Sequence, residues 1–443
     1  MNVERDPTLP ALAWRGVVRG GAVTFTIGPQ VHQAADGFFE GVWDGPLDHL
    51  ASAATGRRFG SGVLIRDGEL LIMPPCHALE QIFVLRDRVA KIDYVANSLM
   101  HCLAAAGISA DDPFVERLGR RLLRRTNEQT AAGVLRYNPR SIQDRRYSLL
   151  TIFHDAFRLS GEGEIVFDQP FLGRDFRSFK DYRGFLQETT ERLTANGADA
   201  RRAHPLAPLA AVSQGYDSPA VAAIVAAAGG REATTLRIRL RGYDDCGTIV
   251  GDQLGFRVVE IPHPLGDRLG TLYVQLADGP FAAMALEFVA TAGAGDDFVF
   301  SAMEHVVSGT TLFSGAWGDS IWNREADVPN GVPVRVKYGK SLGEFRLRVG
   351  FAHVPLPFAG GFHSASIKRL SKRPEMQPFT LGSDYDRPIA RRLAEEAGVK
   401  RGTFARAKSA ANANVNDRRR LWHGAVRHVL QRYSGPASGG GAG

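Results

Sequence analysis

The chain has 443 residues, 44% of them hydrophobic and 23% charged, the balance of a globular protein long enough for two cores. No uninterrupted apolar run reaches membrane-spanning length, and the opening MNVERDPTLP lacks a basic-then-apolar leader pattern, so a cytoplasmic protein with no membrane partner is expected. A formal net charge of +7 favours anionic ligands, while the three cysteines, Cys76, Cys102 and Cys246, form no CxxC pair and so argue against a zinc site or a disulfide framework.

From residue 16 to residue 75 short β-prone runs alternate with glycine, at 23–27, 38–42, 63–66 and 69–73. VLIR and ELLIMP flank Asp67-Gly68, a two-residue hairpin signal. A further strand pair is expected at 81–85 and 92–95, after which Asn97-Ser98 opens an apolar helix through 106. Strands first and helices later, without regular alternation, predict an α+β domain of layered sheet and helix. Residues 111–200 read as mostly helical, with a hairpin-like insert at 164–167. Among them ERLGRRLLRRTN, residues 116–127, interleaves Leu118, Leu122 and Leu123 with arginine at helical spacing, as a solvated face of an amphipathic helix does. FKDYRGFLQETTERLTAN, 179–196, is a second such helix, with Phe185, Leu186 and Leu193 on its apolar side. The Gly-, Ala- and Pro-rich stretch 197–208 then divides the chain into expected domains at 1–200 and 201–435, with a low-complexity tail, 436–443, expected to be disordered.

The second half is organised around PLAAVSQGYDSPAVAAIVAAAGG, residues 208–230. An apolar run, 209–212, breaks into the polar turn Ser213-Gln214-Gly215-Tyr216-Asp217-Ser218, and an alanine- and valine-rich run follows at 220–228. That pattern reads as strand, tight loop, helix. Pro219 suits a first helical turn, and Gly229-Gly230 suits a stop. Free backbone N–H groups at such a helix start, with the hydroxyls of Ser213 and Ser218, suit a phosphate, and Asp217 suits a magnesium ion bridging phosphate oxygens. The same residues would also cap an ordinary strand-to-helix turn. The spacing is wrong for a Walker A loop, and Tyr338-Gly339-Lys340-Ser341 lacks that motif's upstream glycine because Val334 stands there.

Onward, a β-prone run at 233–240, a helix capped by Asp244-Asp245 and running through 254, and a strand at 256–261 continue the βαβ alternation of a parallel sheet. Ligands of such sheets sit outside the carboxyl ends of the strands. Two further stretches stand out. One is TLFSGAWGDSIW, 311–322; the other is DRPIARRLAEEAG, 386–398, a helix with a capping Asp386, an early proline and a terminal glycine, leading to Phe404-Ala405-Arg406-Ala407-Lys408.

The turn at 213–218 resembles the pyrophosphate loop, Ser-Gly-Gly-x-Asp-Ser, of the asparagine synthetase-like (class B) ATP pyrophosphatase family, with Gln214 in place of a glycine. Residues 314–320 are similar to that family's Ser-Gly-acid-Gly-x-Asp-acid loop: Ser314, Gly315 and Asp319 match, Ala316 and Ser320 replace acids, and Trp317 replaces a glycine. The segment around Lys408 is similar to the basic segment that closes the synthetase site. The resemblance covers residues 206–410. A fainter one covers 16–107, where IFVLRDRVAKIDYVANSLMHCLAAAG resembles part of the class B glutaminase domain, an N-terminal-nucleophile hydrolase. The resemblance implies an adenine nucleotide α-hydrolase-like α/β domain, a parallel sheet with helices on both faces, preceded by an α+β, degenerate glutaminase-like domain. Asn2 stands where the glutaminase would need its cysteine nucleophile, so glutamine hydrolysis is not expected. ATP and Mg2+ are the implied cofactors. Ser213, Gly215, Asp217, Ser218, Ser314 and Gly315 would bind the nucleotide, Asp217 and Asp319 the metal, and Lys408 would stabilise the leaving pyrophosphate.

The implied chemistry is attack of a substrate carboxylate on the α-phosphorus of ATP, release of pyrophosphate, and capture of the acyl-adenylate by an amine or ammonia. Family members without the glutaminase cysteine, the β-lactam synthetases and lasso-peptide cyclases, use an amine already on the substrate. A small-molecule, peptide or sugar carboxylate is therefore the expected partner, with His353, His363 and Glu287 as acceptor-side candidates. The alternative from another class is a nucleotide-binding pseudoenzyme or scaffold, favoured by the replaced acids and Gln214 and disfavoured by the two retained aspartates and by Lys408. An RNA-modifying pyrophosphatase ranks third, and no nucleic-acid partner is expected, because no RNA-binding motif or CxxC pair is present.

Overall fold

A computed structural model of the chain describes residues 2–66, 69–128, 141–159, 164–168, 175–237, 239–240, 243–264, 273–274, 281–291, 297–324, 342–382, 385–405, 414–415 and 418–433. Strands of alternating polarity, such as Trp14–Arg19, bury one face and so drive sheet-on-sheet packing in the first half. One sheet runs Asn2–Arg5, Ala22–Ile27, Trp14–Arg19, Ile92–Ala96, Ile82–Asp87, Tyr147–Ile152, Ile142–Gln143. The other runs Ile165–Phe167, Phe157–Leu159, Glu69–Met73, Arg58–Arg66, Gly37–Trp43, His32–Ala34. Trp14, Phe25 and Val95 of the first meet Phe38, Val63 and Ile72 of the second in one core. Edge-to-face ring contacts, Trp14–Phe38 at 5.5 Å and Phe25–Phe38 at 5.3 Å, give that layer a specific geometry.

The strands expected at 23–27, 38–42, 63–66, 69–73, 81–85 and 92–95 are all present. Arg66 lies opposite Glu69 in the hairpin, although its turn residues, Asp67 and Gly68, lie outside the described residues. Ser98 caps Leu99–Ala105 by accepting the His101 N–H. Residues 111–200, expected to be mostly helical with a hairpin-like insert at 164–167, carry the helices Pro113–Glu128 and Phe179–Ala198, and Ile165–Phe167 pairs antiparallel with Phe157–Leu159; the strands Ile142–Gln143 and Tyr147–Ile152 between them were not expected. Tyr147–Ile152 pairs along its whole length with Ile82–Asp87, a partner distant in sequence, and such pairing overrides weak local preference.

Helices Leu99–Ala105 and Pro113–Glu128 cover the outer face of the first sheet together with Arg418–Tyr433, which returns from the far end of the chain. Gly119 permits that return. A Cβ there would lie 2.5 Å from the Trp422 ring, whose indole N–H donates to the Val115 carbonyl at 2.9 Å. No helix among the described residues is long and apolar enough to cross a membrane.

The second half is built on a separate, parallel sheet. Its strands, first to fifth in chain order, are Ala207–Ala211, Glu232–Arg237, Arg257–Pro262, Thr310–Ser314 and Ala352–Pro355; in space they run third, second, first, fourth, fifth, and every pairing is parallel. Alternate residues point to opposite faces, as period-two geometry requires. Leu209 and Leu312 pack with the helix Phe281–Ala290, while Ala210 and Phe313 pack with Phe179–Ala198 and Asp217–Ala227. Helices thus cover both faces, which suits a parallel sheet. Two expected caps are absent. The helix after Asp244-Asp245 begins only at Thr248, and Asp245 Oδ1 accepts the Gln214 N–H instead. Asp386 does not cap Pro388–Glu396; Arg387 holds that position, and the Asp386 carboxylate accepts the N–H groups of Leu381 and Gly382.

A buried ion cluster joins the halves. Arg346, on the helix Gly343–Val349, pairs with Glu40 at 2.7 and 3.0 Å and with Glu80 at 2.7 Å. Burial alone would lower the Arg346 pKa, but the two carboxylates outweigh it and hold it above the ordinary value, while burial pushes Glu80 up.

Candidate functional site

The first and fourth strands lie side by side although a long stretch of chain separates them, so strand order reverses between them. At such a switch point the loops leaving neighbouring strands diverge and open a crevice at the carboxyl edge. Here that crevice is a pocket of about 390 Å³ whose lining includes Ser213, Gly215, Asp217 and Ser218 from the loop after the first strand and Ser314, Gly315 and Asp319 from the loop after the fourth. The volume is that of a small-molecule site, roughly 300–1,000 Å³. All the described residues predicted for the nucleotide and the metal therefore line one cavity. Lys408 lies outside the described residues.

The first loop is held by its own hydroxyls and by a neighbouring turn. Ser213 Oγ lies 2.6 Å from Ser218 Oγ and accepts the Gly215 N–H at 3.2 Å. Gln214, where the resemblance has glycine, is anchored rather than awkward: its N–H donates to Asp245 Oδ1 at 3.1 Å, its side-chain amide to the Cys246 carbonyl at 2.9 Å, and its own carbonyl accepts the Ala405 N–H at 2.7 Å. It is not among the residues with positive φ, so this position does not demand glycine. Gly215 leaves open room on the pocket side, since a Cβ there would meet nothing closer than Ser213 Oγ at 3.5 Å.

The second loop is tighter. A Cβ on Gly315 would lie 2.5 Å from the Asp217 carbonyl carbon, and one on Gly318 would lie 2.5 Å from Asp217 Cγ. These glycines let the second loop close directly on the aspartate of the first. Between them Trp317 takes a left-handed conformation, φ 65°, at the position where the resemblance has glycine. For a side chain other than glycine this stores about 1–2 kcal/mol of strain, and such strain gathers at functional sites. Ser314, at the end of the fourth strand, is hydrogen-bonded to His353 Nε2 of the fifth strand at 2.7 Å, and both line the pocket.

Of the acceptor-side candidates only His353 reaches the pocket. His363 is buried against the Phe176 ring, and Glu287 pairs with Arg348 at 2.8 Å and Arg432 at 2.9 Å, so both serve packing elsewhere. Sequence reasoning missed Thr234, Thr235 and Leu236, which line the pocket from the end of the second strand; the rule that ligands sit at carboxyl ends could have found them. It also missed Arg387. The Arg387 guanidinium donates to Asp217 Oδ2 and lies 4.9 Å from the Tyr385 ring centre, a cation–π distance. Burial raises the Tyr385 hydroxyl pKa against the opposing pull of Arg387. With 54 lysines and arginines in the chain, nothing local marked this one.

The lining carries the carboxylates of Asp217, Asp245, Asp297 and Asp319 beside the hydroxyls of Ser213, Ser218 and Ser314. No group of three or more His, Cys, Asp or Glu side chains suited to a metal occurs among the described residues, so a dedicated protein cage is not available there. Two carboxylates with phosphate oxygens and water completing the shell is the usual arrangement for magnesium in nucleotide sites. Compared with known proteins, the chain matches no family model and no curated protein.

Proposed function

We propose that this chain is an ATP-dependent amide ligase that adenylates a substrate carboxylate, releases pyrophosphate and passes the acyl group to an amine, without glutaminase activity of its own. The observation that carries this reading is the meeting of two separately encoded loops, 213–218 and 314–319, around one pocket at the carboxyl edge of a parallel sheet, with Asp217 and Asp319 both in its lining. The amides and hydroxyls of the first loop bind the departing pyrophosphate, Thr234 and Leu236 receive the nucleoside, and Asp217 and Asp319 hold magnesium, which supplies neutralising charge. A carboxylate oxygen attacks the α-phosphorus, the bond from that phosphorus to the α–β bridging oxygen breaks, and pyrophosphate departs with the electron pair. An amine then attacks the acyl carbon and AMP leaves. His353, held by Ser314, is the pocket's imidazole for the amine proton.

A scaffold without turnover is favoured by one observation: Asp217 is ion-paired with Arg387. The two readings part in a single experiment. Calorimetry with ATP and magnesium is followed by a screen of carboxylic acids with hydroxylamine as the amine, scored for AMP, pyrophosphate and hydroxamate. The ligase reading expects magnesium-dependent binding and at least one acid that yields AMP and hydroxamate. Binding with no pyrophosphate from any acid supports the scaffold, and no binding at millimolar ATP sinks both.

A further inference from the structure

The pocket lining carries one arginine and no lysine among the described residues, and that arginine is committed to a carboxylate the nucleotide reading needs. Arg387 is 5% exposed. Its backbone is fixed, because Pro388 begins a helix and the Arg387 carbonyl accepts the Arg391 N–H at 3.0 Å. Behind it Arg391 donates to the Tyr216 hydroxyl at 2.8 Å and pairs with Glu395 at 3.0 Å, so the neighbouring cation is already neutralised. Among the described residues lining the pocket, Arg387 is the one arginine or lysine, and it lies beside both Asp217 and the cavity.

A cation that takes Asp217 Oδ2 strips the guanidinium of that carboxylate, and an uncompensated charge in a buried wall is strongly unfavourable. A phosphate arriving with the cation removes the penalty, because it offers the guanidinium two oxygens in the fork geometry it prefers. We propose that Arg387 and Asp217 form an exchangeable pair that makes cation and phosphate binding in this pocket interdependent. In the ligand-free protein each neutralises the other; with both ligands bound, Asp217 serves the divalent cation and Arg387 serves the phosphate. This rests on the nucleotide reading above and adds to it a phosphate-binding residue and a reason for either ligand alone to bind weakly.

The test uses full-length protein and two separate probes: Mn2+ without phosphate, followed by electron paramagnetic resonance, and pyrophosphate in EDTA, followed by calorimetry. Arg387→Gln is expected to bind Mn2+ alone about 5–150-fold more tightly than the unmodified chain and metal-free pyrophosphate more weakly by a similar factor, the usual span of coupling between sites. Asp217→Asn is expected to bind metal-free pyrophosphate more tightly, since the guanidinium has lost its competitor, and Arg387→Lys should fall between. An unmodified chain that binds magnesium and ATP while Arg387→Gln changes neither affinity overturns the exchange and leaves the nucleotide reading standing. An unmodified chain that binds no nucleotide overturns that reading itself. Should Arg387→Gln melt far below the parent, unchanged pyrophosphate affinity in Asp217→Asn overturns the exchange.

Discussion

Two buried arginines of this protein sit in opposite circumstances. Arg346 is sealed: its side chain and that of Glu40 are 3% and 0% exposed, Glu80 is a second carboxylate against it at 2.7 Å, and Glu40 also accepts from the Ser61 N–H and hydroxyl. Arg387 lies against one carboxylate, Asp217, whose side chain is 18% exposed, with a cavity beside both. A cluster sealed from solvent has nothing to exchange with and acts as a fixed joint between the two halves. A pair on a cavity wall can trade partners when a ligand replaces whichever group leaves.

Removing each arginine's partnership should therefore have different consequences. Arg346→Met leaves Glu40 and Glu80 buried without their cation and is expected to cost about 3–5 kcal/mol of stability, read by denaturant unfolding; an unchanged midpoint would break the comparison. Asp217→Asn leaves a single buried guanidinium without its carboxylate and should cost less stability than Arg346→Met, which strands two carboxylates. Its turnover, and that of Asp319→Asn, should fall about 10²–10³-fold once a substrate is in hand, as for loss of a preorganised charge contact. Equal loss of folding in Asp217→Asn and Arg346→Met would mean that the pocket pair is structural too.

A third buried charge tests how dry the joint is. Glu344, next to Arg346 on the same helix and hydrogen-bonded by the Tyr433 hydroxyl at 2.7 Å and by Ser98, is pushed by burial from 4.5 up to about 7. Its folded state holds a proton that the unfolded chain releases, so its contribution is most favourable below about pH 4.5 and is lost as pH rises through 7, by about 3 kcal/mol in all. Glu344→Gln should flatten that slope and be the more stable form at about pH 8, in unfolding curves taken from about pH 5 to 8. A slope unchanged by the substitution would show that water reaches this carboxyl.

The smallest expected effects separate the two loops. Gly318→Ala and Gly315→Ala each drive a Cβ to 2.5 Å from Asp217 and should cost about 1–3 kcal/mol. Gly215→Ala, whose nearest neighbour is at 3.5 Å, should stay within about 0.5 kcal/mol. Thermal melts of the three variants decide whether the second loop is the one packed to its limit.

Those loops also show where local reading works. The turn at 213–218 was legible because its strand, polar loop and helix are contiguous, and the helix Asp217–Ala227 follows where the alanine-rich run placed it. The strands at 142–143 and 147–152 were not, because Tyr147–Ile152 owes its form to a partner strand some sixty residues earlier. Asp245 and Asp386 looked like helix caps, yet each carboxylate is engaged by N–H groups outside the helix it precedes; local capping was outcompeted by contacts made only in the folded chain.

By itself the amino-acid sequence determined the alternation of the parallel half, the hairpins of the first half and the two acidic glycine-bearing loops, since each depends on residues within one or two turns of one another. Tertiary structure alone decided which strands are neighbours, and hence that Asp217 and Asp319 share a cavity. It also selected His353 over His363 and Glu287, and set Arg387 against Asp217 across 170 residues of chain. The physical reason is the same in each case: a charge or imidazole gains its role from the groups that desolvate and neutralise it, and those are brought together by burial of the core rather than by proximity along the chain.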